Sequence, residues 1–82
     1  MLQKKSFPID AVHVPVKRRK TLDMAKVEAL ATDMLENGQL TPIRLREDGD
    51  RYVLIEGYHR LEALRALGED TVEAYLVGAR LH

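Results

Sequence analysis

Between Phe7 and Val14 the chain is dense in Ile and Val, interrupted by Pro8 and closed by Pro15. This run predicts a first strand, near a sheet edge because proline cannot donate to a hydrogen-bond ladder. A loop is expected through Lys17-Arg18-Arg19-Lys20. Leu22-Asp23 then signals a helix start, with Asp23 as N-cap and Leu22 packing on Val27 as a hydrophobic staple. Val27, Leu30, Ala31, Met34 and Leu35 recur at the spacing of one buried helical face. Asn37-Gly38 is expected to end this helix by supplying the left-handed cap position.

The rhythm then changes. Pro42-Ile43-Arg44-Leu45-Arg46 alternates apolar and polar residues, Glu47-Asp48-Gly49-Asp50 signals a turn, and Tyr52-Val53-Leu54-Ile55 reads as the returning strand of a β-hairpin. A second helix, about Tyr58 to Leu67, sets Leu61, Leu64 and Leu67 on one side, with Ala63 and Ala66 allowing close packing and Gly68 capping the end. Thr71 to Val77 reads as a final strand, with Val72, Ala74 and Leu76 opposed to Thr71, Glu73 and Tyr75. The predicted order β-α-β-β-α-β implies an α+β domain, a small mixed β-sheet with two main helices packed against it.

Eighty-two residues suffice for a single domain over 1–82, with its core at about 7–77, and for one modest hydrophobic core. Thirteen basic residues balance thirteen acidic ones, which excludes the global positive field of a typical DNA-binding domain. The absence of cysteine excludes disulfides, thiolate metal sites and cysteine catalysis within the chain. Met1-Leu2-Gln3-Lys4-Lys5 is not followed by an apolar run long enough for a signal peptide or a membrane span, so a cytoplasmic location and no membrane partner are expected. His13, His59 and His82 show no metal-ligand spacing.

The densest chemistry lies at Glu56-Gly57-Tyr58-His59-Arg60, where the strand pattern passes directly into the helical one. A helix that starts abruptly exposes its first N–H groups and its positive dipole end, a natural anion site. Gly57 permits close backbone approach there, and the Arg60 guanidinium could grip two phosphate oxygens. A plainer alternative stands beside this one: Gly57 as an N-cap only, with His59 and Arg60 solvated or paired to Glu56 or Glu62. Tyr52, Tyr58 and Tyr75 could stack on a base or simply pack.

Two blocks together resemble the ParB/sulfiredoxin superfamily. The first is Arg18-Arg19-Lys20-Thr21-Leu22-Asp23, then Lys26-Val27, Leu30, Gly38 and Pro42-Ile43-Arg44-Leu45-Arg46; the second is Tyr52 through Ala63, followed by Gly68. The resemblance covers about residues 9 to 77. It implies a phosphate-binding turn for a nucleotide, CTP in ParB proteins and ATP in sulfiredoxins. Carried over by position, it implies nucleotide-binding roles for Lys26, Gly57, Tyr58, His59 and Arg60, with Lys26, His59 and Arg60 matching the phosphate-contacting residues of sulfiredoxin.

Departures from the family pattern narrow the implied function. Sulfiredoxin's nucleophilic cysteine falls at Tyr58, and a phenol cannot form the sulfur-linked intermediates of sulfinate repair, so that activity is excluded. The ParB glutamate implicated in CTP hydrolysis falls at the same tyrosine. The family's first-helix Ser or Thr falls at Asp33, which could repel a triphosphate or help hold Mg²⁺. The helix-turn-helix that reads DNA in ParB is lacking, so sequence-specific DNA binding is not expected. Nor does the "ParB-like nuclease" label suit a chain without a cluster of acidic metal ligands.

A third branch, ParB-like small-molecule kinases, carries an acidic residue before the turn glycine, and Glu56 matches it. Glu56 is thus the candidate catalytic residue, able to reach metal or an acceptor hydroxyl in phosphoryl transfer, the alternative being a Glu56 that faces solvent at the strand end or caps the first N–H groups of the second helix. The leading expectation is a domain that binds ATP or CTP with Mg²⁺. The alternatives are nucleotide hydrolysis or phosphoryl transfer to a small molecule, and a non-enzymatic adaptor that meets a protein partner or forms a homodimer.

Overall fold

In the computed structural model, which describes residues 3–39 and 41–78, the chain runs β1 (Gln3–Pro8), a 3₁₀ turn (Ile9–Ala11), β2 (Val12–His13), α1 (Val16–Arg19), α2 (Met24–Asn37), β3 (Ile43–Asp48), β4 (Arg51–Glu56), α3 (Tyr58–Ala66) and β5 (Thr71–Val77). Met1, Leu2 and His82 lie outside the described residues. The five strands form one mixed sheet in the order β1-β5-β3-β4-β2. β3 and β4 are the antiparallel hairpin, β5 lies parallel to β3 and antiparallel to β1, and β2 runs parallel to β4. Gly49 turns the hairpin with φ at 66°, and among the described residues no non-glycine residue has a positive φ, which is the pattern of a two-residue turn with glycine first.

The single strand expected over Phe7–Val14 is two strands on opposite edges of the sheet, joined by the 3₁₀ turn. Pro8 ends β1, and Ile9 turns into the core while its N–H donates to the Asp70 carbonyl at 2.9 Å. A flat five-stranded sheet would hold its edges roughly 19 Å apart at the usual strand spacing, beyond the roughly 14 Å that the chain from Pro8 to Val12 can span. The sheet therefore curls. The Phe7 ring of β1 meets the Tyr52 ring of β4 edge-on, with centroids 4.9 Å apart.

The loop expected through the basic run contains the single helical turn α1, which opens behind Pro15. The ring of Pro15 fixes φ near the helical value, and the Arg19 guanidinium Nε–H donates to the Val14 carbonyl at 3.1 Å, holding the turn closed. With α1 and the divided first strand, the predicted β-α-β-β-α-β order becomes β-β-α-α-β-β-α-β; the α+β class and the two main helices, α2 and α3, stand.

Asp23 caps α2 as expected: its carboxylate accepts from the Ala25 N–H at 3.0 Å. Val27 and Met34 are buried, Leu30 and Ala31 half-buried, but Leu35 is 75% exposed because it lies past the edge of the stripe facing α3. Ala66, expected to allow close packing, is likewise exposed. Helices α2 and α3 pack on one another, and α3 lies on β3 and β5. Ile43, Leu45, Leu61, Val27 and Val72 are the largest fully buried side chains, each contributing about 1.5–3 kcal/mol over leaving it in water. No described helix is long and apolar enough to cross a membrane.

Candidate functional site

The junction of β4 and α3 is built around a residue that has to be glycine. Gly57 is the N-cap of α3 with φ 105° and ψ 27°, and a β-carbon on it would lie 2.5 Å from Ile43 Cγ2 and 2.7 Å from Ile43 Cβ. Its carbonyl accepts the first helical bond, from the Leu61 N–H at 2.9 Å. A glycine cap brings no side chain to the helix start. Among the described residues the amides of Tyr58, His59 and Arg60 have no acceptor, and the positive end of the α3 dipole stays open. The start of α2 differs, since the Asp23 carboxylate already answers its dipole. Of the two main helices, α3 is the one prepared for an outside anion.

His59 joins these two helix starts. Its Nε2 accepts the backbone N–H of Asp23 at 3.0 Å. This bond draws the first turn of α2, with Lys26 as its third residue, to the first turn of α3, with Arg60 as its third residue. Neither the Lys26 nor the Arg60 side chain has a hydrogen-bond or ion-pair partner among the described residues. Lys26 is exposed and Arg60 half-buried. Tyr58 is half-buried against the hydrophobic core, its ring centroid 6.1 Å from that of His59. The pairing of His59 or Arg60 with Glu56 or Glu62 that the plainer alternative allowed does not occur; Glu62 takes Arg65 at 3.4 Å.

Glu56 and Asp33 have partners outside this cluster. Glu56, 66% exposed at the end of β4, faces Arg44 on β3 at 4.0 Å. A register shift between Arg44 and Leu45 makes that pair, because the uninterrupted hairpin register would set Arg44 opposite Ile55. Asp33 accepts from the Asn37 amide at 3.0 Å, roughly 10 Å along α2 from Lys26 at the normal helical rise. Sequence reasoning had assigned no role to Arg44, and only a bulge, which leaves little trace in sequence, brings it to Glu56. It also passed over the Asp23 N–H as a partner of His59; that contact joins two elements distant in sequence and has no local signature.

Two surface clefts lie elsewhere. One of about 420 Å³ is lined by Pro8, Asp10, Arg65, Glu69 and Asp70, and one of about 250 Å³ by Met34, Gln39, Leu64 and Thr71. The first sits at the C-terminal end of α3, and the second between the C-terminal ends of α2 and α3. The amide-rich turn from Gly57 to Arg60 is half-buried and lines neither cleft. As for Mg²⁺, no three His, Asp or Glu side chains gather as a metal site among the described residues, and Glu56 and Asp33 each have a partner of their own. These residues do not fit a protein-held Mg²⁺.

A small mixed sheet with two main helices packed against it is the fold of the ParB/sulfiredoxin superfamily. The model of the ParB N-terminal domain matches residues 3–80, and the chain belongs to that family. It is 32% identical over 62 residues to the probable chromosome-partitioning protein ParB of Campylobacter jejuni, a match covering 76% of this chain and 22% of that protein. It is 35% identical over 69 residues to the chromosome-partitioning protein ParB of Myxococcus xanthus, covering 83% and 23%. The chain thus spans under a quarter of the curated relatives it matches.

Among solved structures, sulfiredoxin from Arabidopsis thaliana superposes with a TM-score of 0.84 at 26% identity, covering 93% of this chain and 85% of that one. The C-terminally truncated chromosome-partitioning protein ParB of Caulobacter crescentus, complexed with CTP-γ-S, gives 0.79 at 26% identity, covering 93% and 44%. A free serine kinase variant in complex with ADP gives 0.78 at 19% identity, covering 90% and 30%, a likeness of fold alone.

Proposed function

We propose that this domain binds a nucleoside triphosphate, ATP or CTP, by its phosphates at the start of α3. The observation that carries the proposal is the uncapped first turn of α3, whose three free amides stand beside Arg60 and, through the His59 to Asp23 bond, beside Lys26. Backbone N–H groups at a helix start orient a phosphate, and the two cations offset its charge. The CTP-γ-S complex of the Caulobacter relative supports the choice of ligand class. Mg²⁺ enters on the phosphates of the nucleotide, keeping most of its waters, in line with its preference for phosphate oxygens over all-protein cages. The proposal is for binding. Phosphoryl transfer would further require Glu56 to leave Arg44 and reach a metal or an acceptor.

The test is a titration of ¹⁵N-labelled protein with ATP, CTP and ADP, each with and without Mg²⁺. The amides of Tyr58, His59 and Arg60 should move first and saturate together. Millimolar nucleotide that leaves these three unmoved while residues of either cleft respond would reject the site.

A further inference from the structure

We propose that His59 serves this site as a positioning residue: its Nε2, by accepting the Asp23 N–H, holds the start of α2 against the start of α3, and the imidazole acts there as a neutral acceptor rather than as a phosphate-binding cation. The inference rests on the binding proposal above, but its central contact exists without nucleotide. A backbone N–H can donate only to a ring nitrogen with a free lone pair, so at 3.0 Å from the Asp23 N–H the Nε2 is unprotonated and the ring proton sits on Nδ1.

Asp23 is a junction worth holding. Its carboxylate takes the Ala25 N–H and its carbonyl takes the Lys26 and Val27 N–H groups at 3.0 and 3.1 Å, while its own N–H goes to His59. Fixing Asp23 therefore fixes the first turn of α2 and the backbone from which Lys26 projects.

The surroundings favour the same role. The ring meets Tyr58 from its own helix and the Asp23 backbone N–H at the start of α2, while the Asp23 carboxylate is engaged by the Ala25 N–H. Lys26 and Arg60 occupy the neighbouring turns, and the ring lies between the positive ends of two helices. An imidazolium would set a second N–H against that of Asp23 and add a third cation. Any contact His59 makes with a phosphate is left to Nδ1–H.

A ligand that worked by charge would tolerate arginine in its place. A brace that works by accepting a hydrogen bond would not, and would be replaced by glutamine, whose side-chain oxygen accepts.

The experiment uses the full chain. Imidazole ¹⁵N spectra without nucleotide should show the Nδ1–H tautomer of His59. His59→Arg should weaken CTP and ATP binding by roughly three- to tenfold, the scale of one net hydrogen bond, and should speed exchange of the Asp23 amide. His59→Gln should return both toward the parent values. The proposal is overturned if His59→Arg binds as tightly as the parent, if His59→Gln is as weak as His59→Arg, or if the parent ring carries its proton on Nε2. Should the parent protein bind neither nucleotide, the binding proposal fails alone, and the tautomer and the Asp23 exchange rate still decide whether the brace exists.

Discussion

Ile43 leaves no room for a side chain on Gly57: a β-carbon there would stand 2.5 Å from Ile43 Cγ2, 2.7 Å from its Cβ and 3.2 Å from its Cα. With φ at 105°, Gly57 is also in a backbone region that other residues avoid. Gly57→Ala should cost about 2–4 kcal/mol of stability from strain and overpacking together, measured as a fall in the urea midpoint. Pairing it with Ile43→Ala should not restore stability, because the contact with Cβ survives and a cavity is added. A double variant as stable as the parent would show that the close approach is not the constraint.

Arg60→Ala should lower nucleotide affinity by about 1.5–3 kcal/mol, the range for a hydrogen bond to a charged group, with no comparable loss of stability. Lys26→Ala should lose less, since an exposed ammonium is a point charge without the planar fork of a guanidinium. Calorimetric titration with MgCTP and MgATP measures both. An Arg60→Ala protein that is folded and binds as well as the parent would remove Arg60 from the site.

Gln39 extends the sheet with its side chain. Its Oε1 accepts the Glu73 N–H at 2.9 Å, and its Nε2 donates to the carbonyls of Glu73 and Thr41, both at 3.0 Å. The amide thereby occupies the rung beside β5 just before β3 begins, tying the end of α2 to the sheet. Gln39→Glu replaces the donor with an oxygen facing two carbonyls and should destabilise by about 1–3 kcal/mol, more than Gln39→Ala does. Thermal unfolding of both variants at neutral pH gives the comparison, and equal midpoints for Gln39→Glu and the parent would contradict it.

Met34 and Leu35 are neighbours with opposite fates, 7% and 75% exposed. Met34→Ala should cost about 2–5 kcal/mol through lost burial and a cavity, while Leu35→Gln should stay within about 0.5 kcal/mol. Chemical denaturation of each variant tests the pair, and a large loss from Leu35→Gln would mean that its face is covered in solution.

Much of this domain was legible in its sequence. The periodic stretches gave α2, the hairpin, α3 and β5 with boundaries close to those found. Their signals are local: Asp23 at a helix start, Gly49 at a turn, alternation from Thr71 to Val77. The run from Phe7 to Val14 misled because Ile9 is buried like a strand residue while its backbone turns to meet Asp70, a contact set by tertiary packing. Leu35 misled in a related way, since a heptad-like apolar spacing is wider than the groove that α3 presents. The turn at Gly57 was readable from residue type. What holds it was not, because the Ile43 backbone, the Asp23 N–H and the bulge at Arg44 come from distant parts of the chain.

The first strand of the described chain pairs with the last, Phe7 lying opposite Val72. A ribosome making this domain must therefore release nearly all of it before β1 can find β5. Until then β3 also lacks the parallel partner that sets Ile43 beside Ala74. Contacts this distant along the chain slow folding, because the loop between them must close before either strand gains anything. The helices and the hairpin can form early on local contacts. The cradle at Gly57, which needs Ile43 in its final place, is completed only once β5 has docked beside β3.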